Sequence, residues 1–96
     1  MKVELSAEAD GDIRALIRQG LDRVGPSQVE ACLDGLEDVF GLIAAFPAIG
    51  TERGEFALAY RSYPYKAHMV FYRVEADRVL IVRIRHARED WQEGAF

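Results

Sequence analysis

Residues 60–91 read YRSYPYKAHMVFYRVEADRVLIVRIRHAREDW. The last apolar run in this stretch, Arg78 to His86, decides the fold. Val79, Leu80, Ile81, Val82 and Ile84 are apolar, and all but Leu80 are β-branched. Such side chains suit a pleated, half-buried surface and lose rotamer freedom in a helix. A near-continuous apolar run of this length predicts a central strand buried on both faces. Alternation along it puts Arg83 and Arg85 on one face, with Leu80, Val82, Ile84 and His86 on the other. Glu75-Ala76-Asp77-Arg78 is short and polar, and predicts a hairpin turn from a preceding strand, Lys66 to Val74. Pro64 lacks an N–H for a sheet ladder, so Tyr63-Pro64-Tyr65 predicts a second turn. A first strand, Phe56 to Ser62, completes an antiparallel meander of three strands.

The upstream half supplies a cover for one face of that sheet. Lys2 to Leu5 alternates polar with apolar and predicts an edge strand. Ser6 is a candidate N-cap, with Ala9 standing where a capping box would place Glu. Ile13, Leu16, Ile17, Leu21 and Val24 then recur at helical spacing. Gly25-Pro26 ends this helix, and Pro26 suits the first turn of the next. Val29, Cys32, Leu33, Leu36, Phe40 and Ile43 form the second stripe, which stops at Phe46-Pro47. Two helices joined by a few residues make an antiparallel hairpin. The hairpin cannot bury its stripes alone, and the meander exposes one apolar face. Together they predict a two-layer α+β domain with an N-terminal strand. Ala48 to Glu55, with Gly50 and Gly54, is expected to be a loop.

Ninety-six residues suffice for one domain, spanning 1–96, with a single modest core. Half of the residues are hydrophobic, which argues against disorder. No apolar run approaches the ~20 residues needed to cross a bilayer. The opening MKVELSAEADGD lacks the apolar centre of a signal peptide, so a cytoplasmic location is expected. The lone Cys32 has no internal disulfide partner and reads as a small packed hydrophobe. Charge is distributed unevenly. Residues 1–59 carry five basic and eleven acidic side chains, residues 60–88 carry seven and two, and the last eight add three acids. The net charge of −4 thus hides an acidic support under a basic sheet.

Little in the residue pattern points to catalysis. His68 and His86 do not lie in a metal-binding spacing such as His-x-x-x-His. No Ser-His-Asp pattern and no phosphate-cradling glycine loop occurs. No cofactor and no metal are expected.

Five pieces occur in order: Phe46 to Gly50 (FPAIG), Arg61 to Tyr65 (RSYPY), His68 to Val74 (HMVFYRV), Val79 to His86 (VLIVRIRH) and Asp90-Trp91. In this order and spacing they resemble the ParE branch of the RelE/ParE toxin superfamily. With the two upstream helices, the resemblance covers almost the whole chain. It implies a toxin of a type II toxin–antitoxin system that inhibits DNA gyrase and replication and is not an enzyme. It also implies a ParD-like antitoxin, a hetero-oligomer with it, and contact with DNA only through it. The antitoxin's flexible C-terminal segment would fold on the toxin, laying apolar residues in a groove and acidic ones on the basic sheet. On this reading Arg61, Arg83, Arg85, His86, Arg88 and Trp91 are candidates for the toxic surface. Tyr60, Met69 and Phe71 are candidates for the antitoxin groove. Arg83 could instead pair with an acid such as Glu37 or Asp38.

The alternative within the superfamily is a ribosome-dependent, messenger-RNA-cleaving toxin of RelE type. That chemistry needs cations on phosphates and a proton donor and acceptor. RelE-type relatives carry paired cations on the strand before the first hairpin. Here Ala57 and Ala59 stand there, and Met69 stands where the next strand would carry arginine. Arg61, Arg88 and His86 remain as possible remnants. A third alternative is a degenerate member that retains only antitoxin binding.

Overall fold

The computed structural model describes residues 1–54 and 59–87. Its elements run β1 (Lys2–Leu5), α1 (Ala7–Arg23), α2 (Pro26–Ala45), β2 (Thr51–Arg53), β3 (Tyr60–Tyr65), β4 (His68–Val74) and β5 (Arg78–His86). The five strands form one mixed sheet in the order β1-β5-β4-β3-β2. β1 lies parallel to β5, and every other neighbouring pair is antiparallel. The two helices cover one face, giving the expected two-layer α+β arrangement with β1 at an edge.

Ser6 ties the layers together. Its backbone N–H donates to Ile81 O (2.9 Å) and its hydroxyl donates to Val82 O (2.7 Å). The same Oγ accepts from Ala9 N at 3.0 Å, which makes Ser6 the N-cap of α1. One side chain therefore ends β1, starts α1 and fixes both against β5. We expect Ser6→Ala to cost about 1–2 kcal/mol in urea unfolding, since it removes a cap and leaves a part-buried carbonyl without its donor.

The helix hairpin turns at Gly25, whose φ of 92° suits a residue without a Cβ. Pro26 follows at the first position of α2, where its missing N–H leaves no helical bond unmade. Val29, Leu36 and Ile43 of α2 are buried, and Ala9 of α1 is buried with them. Ile13 and Leu16 pack against this core. Leu21 and Val24, assigned to the same stripe from their spacing, are about half exposed. Leu21 lies in the last turn of α1 and Val24 is its C-cap.

Four features depart from the sequence reading. Thr51–Arg53 is a short strand within the expected loop; it pairs with Tyr60–Ser62 and forms the second edge. β3 runs from Tyr60 to Tyr65, so Pro64 lies inside a strand, not in a turn. Proline is tolerated there because β2 pairs no further than Ser62, which leaves one side of β3 a bare edge at Pro64. The turn falls instead at Lys66-Ala67, with Lys66 in the left-handed region at φ 53°. Finally, the alternation in β5 is broken. Phe71 pairs with Arg83 but Tyr72 pairs with Ile81, so Val82 is an extra residue, a β-bulge. Val79, Ile81 and Ile84 consequently share the core, whereas Leu80 and Val82 are half-buried.

Among the described residues, no helix is long and apolar enough to cross a membrane.

Candidate functional site

The sheet face turned away from the helices gathers most of the candidate residues. Val70 and Tyr72 of β4 belong to the core beneath the helices, so the pleat turns Met69 and Phe71 to the opposite face. Met69 lies opposite Arg85, and Phe71 lies between Ser62 of β3 and Arg83 of β5. Tyr60 has the same parity as Ser62 and falls on this face too. Tyr60, Met69, Phe71, Arg83 and Arg85 thus belong to one side of the sheet. Arg61 and His86 have the other parity. Arg88 and Trp91 lie outside the described residues.

The five differ in what they present. Phe71 is fully buried, with the Arg53 guanidinium 6.0 Å from its ring centre. Arg53 Nε also donates to Ser62 Oγ at 2.7 Å, so this arginine lies across both side chains. Tyr60 and Met69 are half-buried.

Arg83 is engaged with α1. Its Nε and Nη2 donate to the two carboxylate oxygens of Asp12, each at 2.9 Å. Asp12 Oδ2 also accepts from Ile84 N at 2.9 Å. This contact sits on the outer edge of β5, which β1 leaves uncovered beyond Ile81. The pair is about 15% exposed on either side, so solvent screens it little. The acid is Asp12, not Glu37 or Asp38; α1, not α2, reaches the bare edge of β5.

Other basic residues of the sheet are similarly held. Arg61 donates to Gly50 O (2.8 Å), Ala48 O (3.3 Å) and Glu52 Oε1 (3.2 Å), bracing the β2 edge. Arg73 and Arg78 both donate to Glu75, at 2.7 Å and 2.6 Å, and Arg78 also donates to Glu4. Arg78 and then Arg73 hold the Glu75 carboxyl below its usual range. Hydrogen bonds from Lys2 and then Arg78 do the same for Glu4. Four basic side chains that the charge count assigns to a working surface are therefore paired with carboxylates. The electrostatic contrast between support and sheet is smaller in three dimensions than along the chain.

Two tyrosines fasten the helical layer to the sheet. Tyr72 OH donates to Pro47 O (2.7 Å) and accepts from Gly50 N (2.8 Å). A Cβ at Gly50 would stand 2.6 Å from that hydroxyl, so glycine is needed for the approach. Burial pushes the Tyr72 phenol up, and the Gly50 N–H partly offsets this. Tyr65 OH donates to Cys32 O at 2.7 Å, and its phenol is raised by burial first and then by the neighbouring Cys32 side chain. Neither tyrosine was singled out from the sequence. A phenol recurring on the apolar parity of a strand was the available signal.

Among the described residues, no group of three or more His, Cys, Asp or Glu side chains is placed to hold a metal. No constellation of nucleophile, base and oxyanion donor appears among the contacts above.

The family model described as "ParE toxin of type II toxin-antitoxin system, parDE" matches residues 3–91. The chain belongs to the ParE toxin family. Toxin ParE3 of Caulobacter vibrioides is 31% identical over 78 residues, which is 81% of this chain and 78% of that protein. A solved structure described as the chromosomal ParDE TA system from P. aeruginosa matches with a TM-score of 0.76 at 16% identity. It covers 90% of this chain and 95% of its counterpart, and at that identity it speaks for the fold. The ParE match takes in both helices and all five strands apart from Lys2 at the start of β1, including the short β2. Within the family, this member anchors Arg83 on Asp12 and Arg61 on the β2 edge, and turns Tyr60, Met69, Phe71 and Arg85 to the face away from the helices.

Proposed function

We propose that this ParE-family toxin arrests growth by acting on DNA gyrase and that a ParD-like antitoxin neutralises it. The family match over residues 3–91 is the observation that carries this reading. The face bearing Tyr60, Met69 and Arg85 is the surface offered to protein partners. It combines part-buried apolar groups with cationic ones, a mixture suited to an amphipathic, acidic segment that folds as it binds. A stable complex would cover roughly 1,000 Å² or more in total. Phe71 forms the buried floor of this surface. Arg61 and Arg83 act as braces, while Arg85, His86 and the 88–91 segment are the candidates for the contact with gyrase. The protein works by binding and not by cutting RNA. Ala59 and Met69, where RelE-type relatives carry cations, support this. Its place of action is the cytoplasm, where gyrase and DNA are.

Expression without antitoxin tests the target. We expect filamentous cells with DNA-damage signalling and intact transcripts. Cleaved transcripts with continuing DNA synthesis would replace this reading with RNA cleavage, and unimpeded growth would leave a member that only binds antitoxin. Arg85→Ala combined with Arg88→Ala should lower killing at least tenfold at equal protein level. Undiminished killing would show that the toxic surface lies elsewhere.

A further inference from the structure

β1 ends the sheet on one side, and among the described residues no strand pairs with its outer edge. The direction of its backbone groups follows from the ladder to β5. Ser6 N donates to Ile81 O, so Ser6 and Glu4 turn their N–H groups toward β5. Alternate residues of a strand turn these groups to opposite sides, so Val3 and Leu5 direct theirs outward. The side chains leave this edge accessible. Met1 and Leu5 are 51% and 39% exposed, and the Lys2 side chain is 73% exposed. Natural edge strands are often protected by charges that repel an incoming strand. Those on β1 are of opposite sign, Lys2 and Glu4, two positions apart.

We propose that β1 pairs antiparallel with β1 of a second copy of this chain, about a two-fold axis at Val3. The segment MKVEL is complementary to itself in that register. Val3 meets the partner's Val3, Lys2 meets the partner's Glu4, and Met1 meets the partner's Leu5. The axis repeats the last two pairs. Val3 exchanges two hydrogen bonds with its counterpart, and Leu5 N–H reaches the partner's Met1 C=O, so the bonded positions fall on the outward-pointing groups. Registers centred on Lys2 or Glu4 would align the same groups but set a like charge against itself, which is unfavourable. Within one chain Lys2 Nζ lies 3.2 Å from Glu4 Oε1, so the two copies together make a ladder of four charges of alternating sign. The pairing joins two five-stranded sheets into one, with both helical layers on the same side. It leaves the face bearing Tyr60, Met69 and Arg85 uncovered in each copy. An edge this short belongs with weak interfaces, below about 1,200 Å² in total. This inference does not depend on the gyrase reading.

The test uses the full chain without any affinity tag. Sedimentation equilibrium over the micromolar-to-millimolar range should show a reversible monomer–dimer equilibrium. Amide exchange of Val3 and Leu5 should slow as concentration rises, whereas that of Glu4, bonded to β5, should not. Lys2→Glu should weaken association at least fivefold, because carboxylates then oppose each other on both sides of the axis. Glu4→Lys should do the same with ammonium groups. An equimolar mixture of these two variants should associate more tightly than either alone, since the mixed dimer again opposes unlike charges. Leu21→Ser, near the other end of α1, should leave association unchanged. If Glu4→Lys does not fold, Lys2→Glu and the exchange rates decide. Undiminished association in Lys2→Glu, a mixture of folded variants no tighter than its components, or loss in Leu21→Ser would overturn the pairing. So would a monomer at all concentrations, including one whose Val3 and Leu5 exchange slows only when antitoxin is added, which would give this edge to the antitoxin.

Discussion

Asp12→Ala is expected to lower stability by about 3–5 kcal/mol, a large share of the 5–15 kcal/mol typical of a domain. Asp12 accepts two bonds from Arg83 and one from Ile84 N, and the ion pair is about 15% exposed on either side. Removing the carboxylate takes away two bonds to the Arg83 guanidinium and the acceptor of Ile84 N at the outer edge of β5. Breaking a buried pair costs more than the pair itself contributes, because the surviving charge is stranded. Two companion variants separate the contributions. Asp12→Asn keeps an acceptor for Ile84 N but loses the charge, and should fall between wild type and alanine. Adding Arg83→Met to Asp12→Ala should recover part of the loss, because no charge is left behind. Denaturant unfolding of the four proteins makes the comparison. If Asp12→Ala costs less than about 0.5 kcal/mol, Arg83 finds solvent easily and the contact does not brace the sheet.

Leu36→Ala is expected to cost about 2–5 kcal/mol with an unchanged denaturant slope. Leu36 is 2% exposed and belongs to the cluster that includes Ile43, Val70, Tyr72 and Ile84. Truncation removes its transfer energy and leaves a cavity between α2 and the sheet, where strands on one side and a helix on the other limit relaxation. Val24→Ala is the matching control. Val24 shows an apolar residue at the same kind of helical spacing, but it is 53% exposed, and its loss should stay within about 0.5 kcal/mol. Equal effects for the two would mean that helical spacing, not burial against the sheet, sets their contribution.

The contrast between Leu36 and Val24 indicates what the sequence could convey. Periodicity identifies a helix and its apolar stripe. It does not say which of the regularly spaced residues meet an opposing layer, and Leu21 and Val24 are about half exposed. Arg78 to His86 was readable as a strand because β-branched residues crowd it, yet its phase was not, since the bulge at Val82 leaves no local mark. Pro64 misled for a related reason. Proline forbids a paired N–H, but only the length of β2 determines whether position 64 needs one. The arginines posed the hardest problem. Their number is plain in the sequence, whereas their partners Asp12, Glu4 and Glu52 come from three other elements. Asp12 and Arg83 are 71 positions apart. A count of charges along the chain therefore overstated the cationic face. The five-piece resemblance succeeded because it integrates order and spacing over the whole chain.

The bond from the Ser6 hydroxyl to Val82 O spans 76 positions, and β1 lies parallel to β5. β1 is thus seated by a strand that is translated long after it. Bringing such distant segments together is entropically costly and slow compared with local contacts. A nascent chain can form its helices early, but it cannot finish the sheet until translation has passed His86.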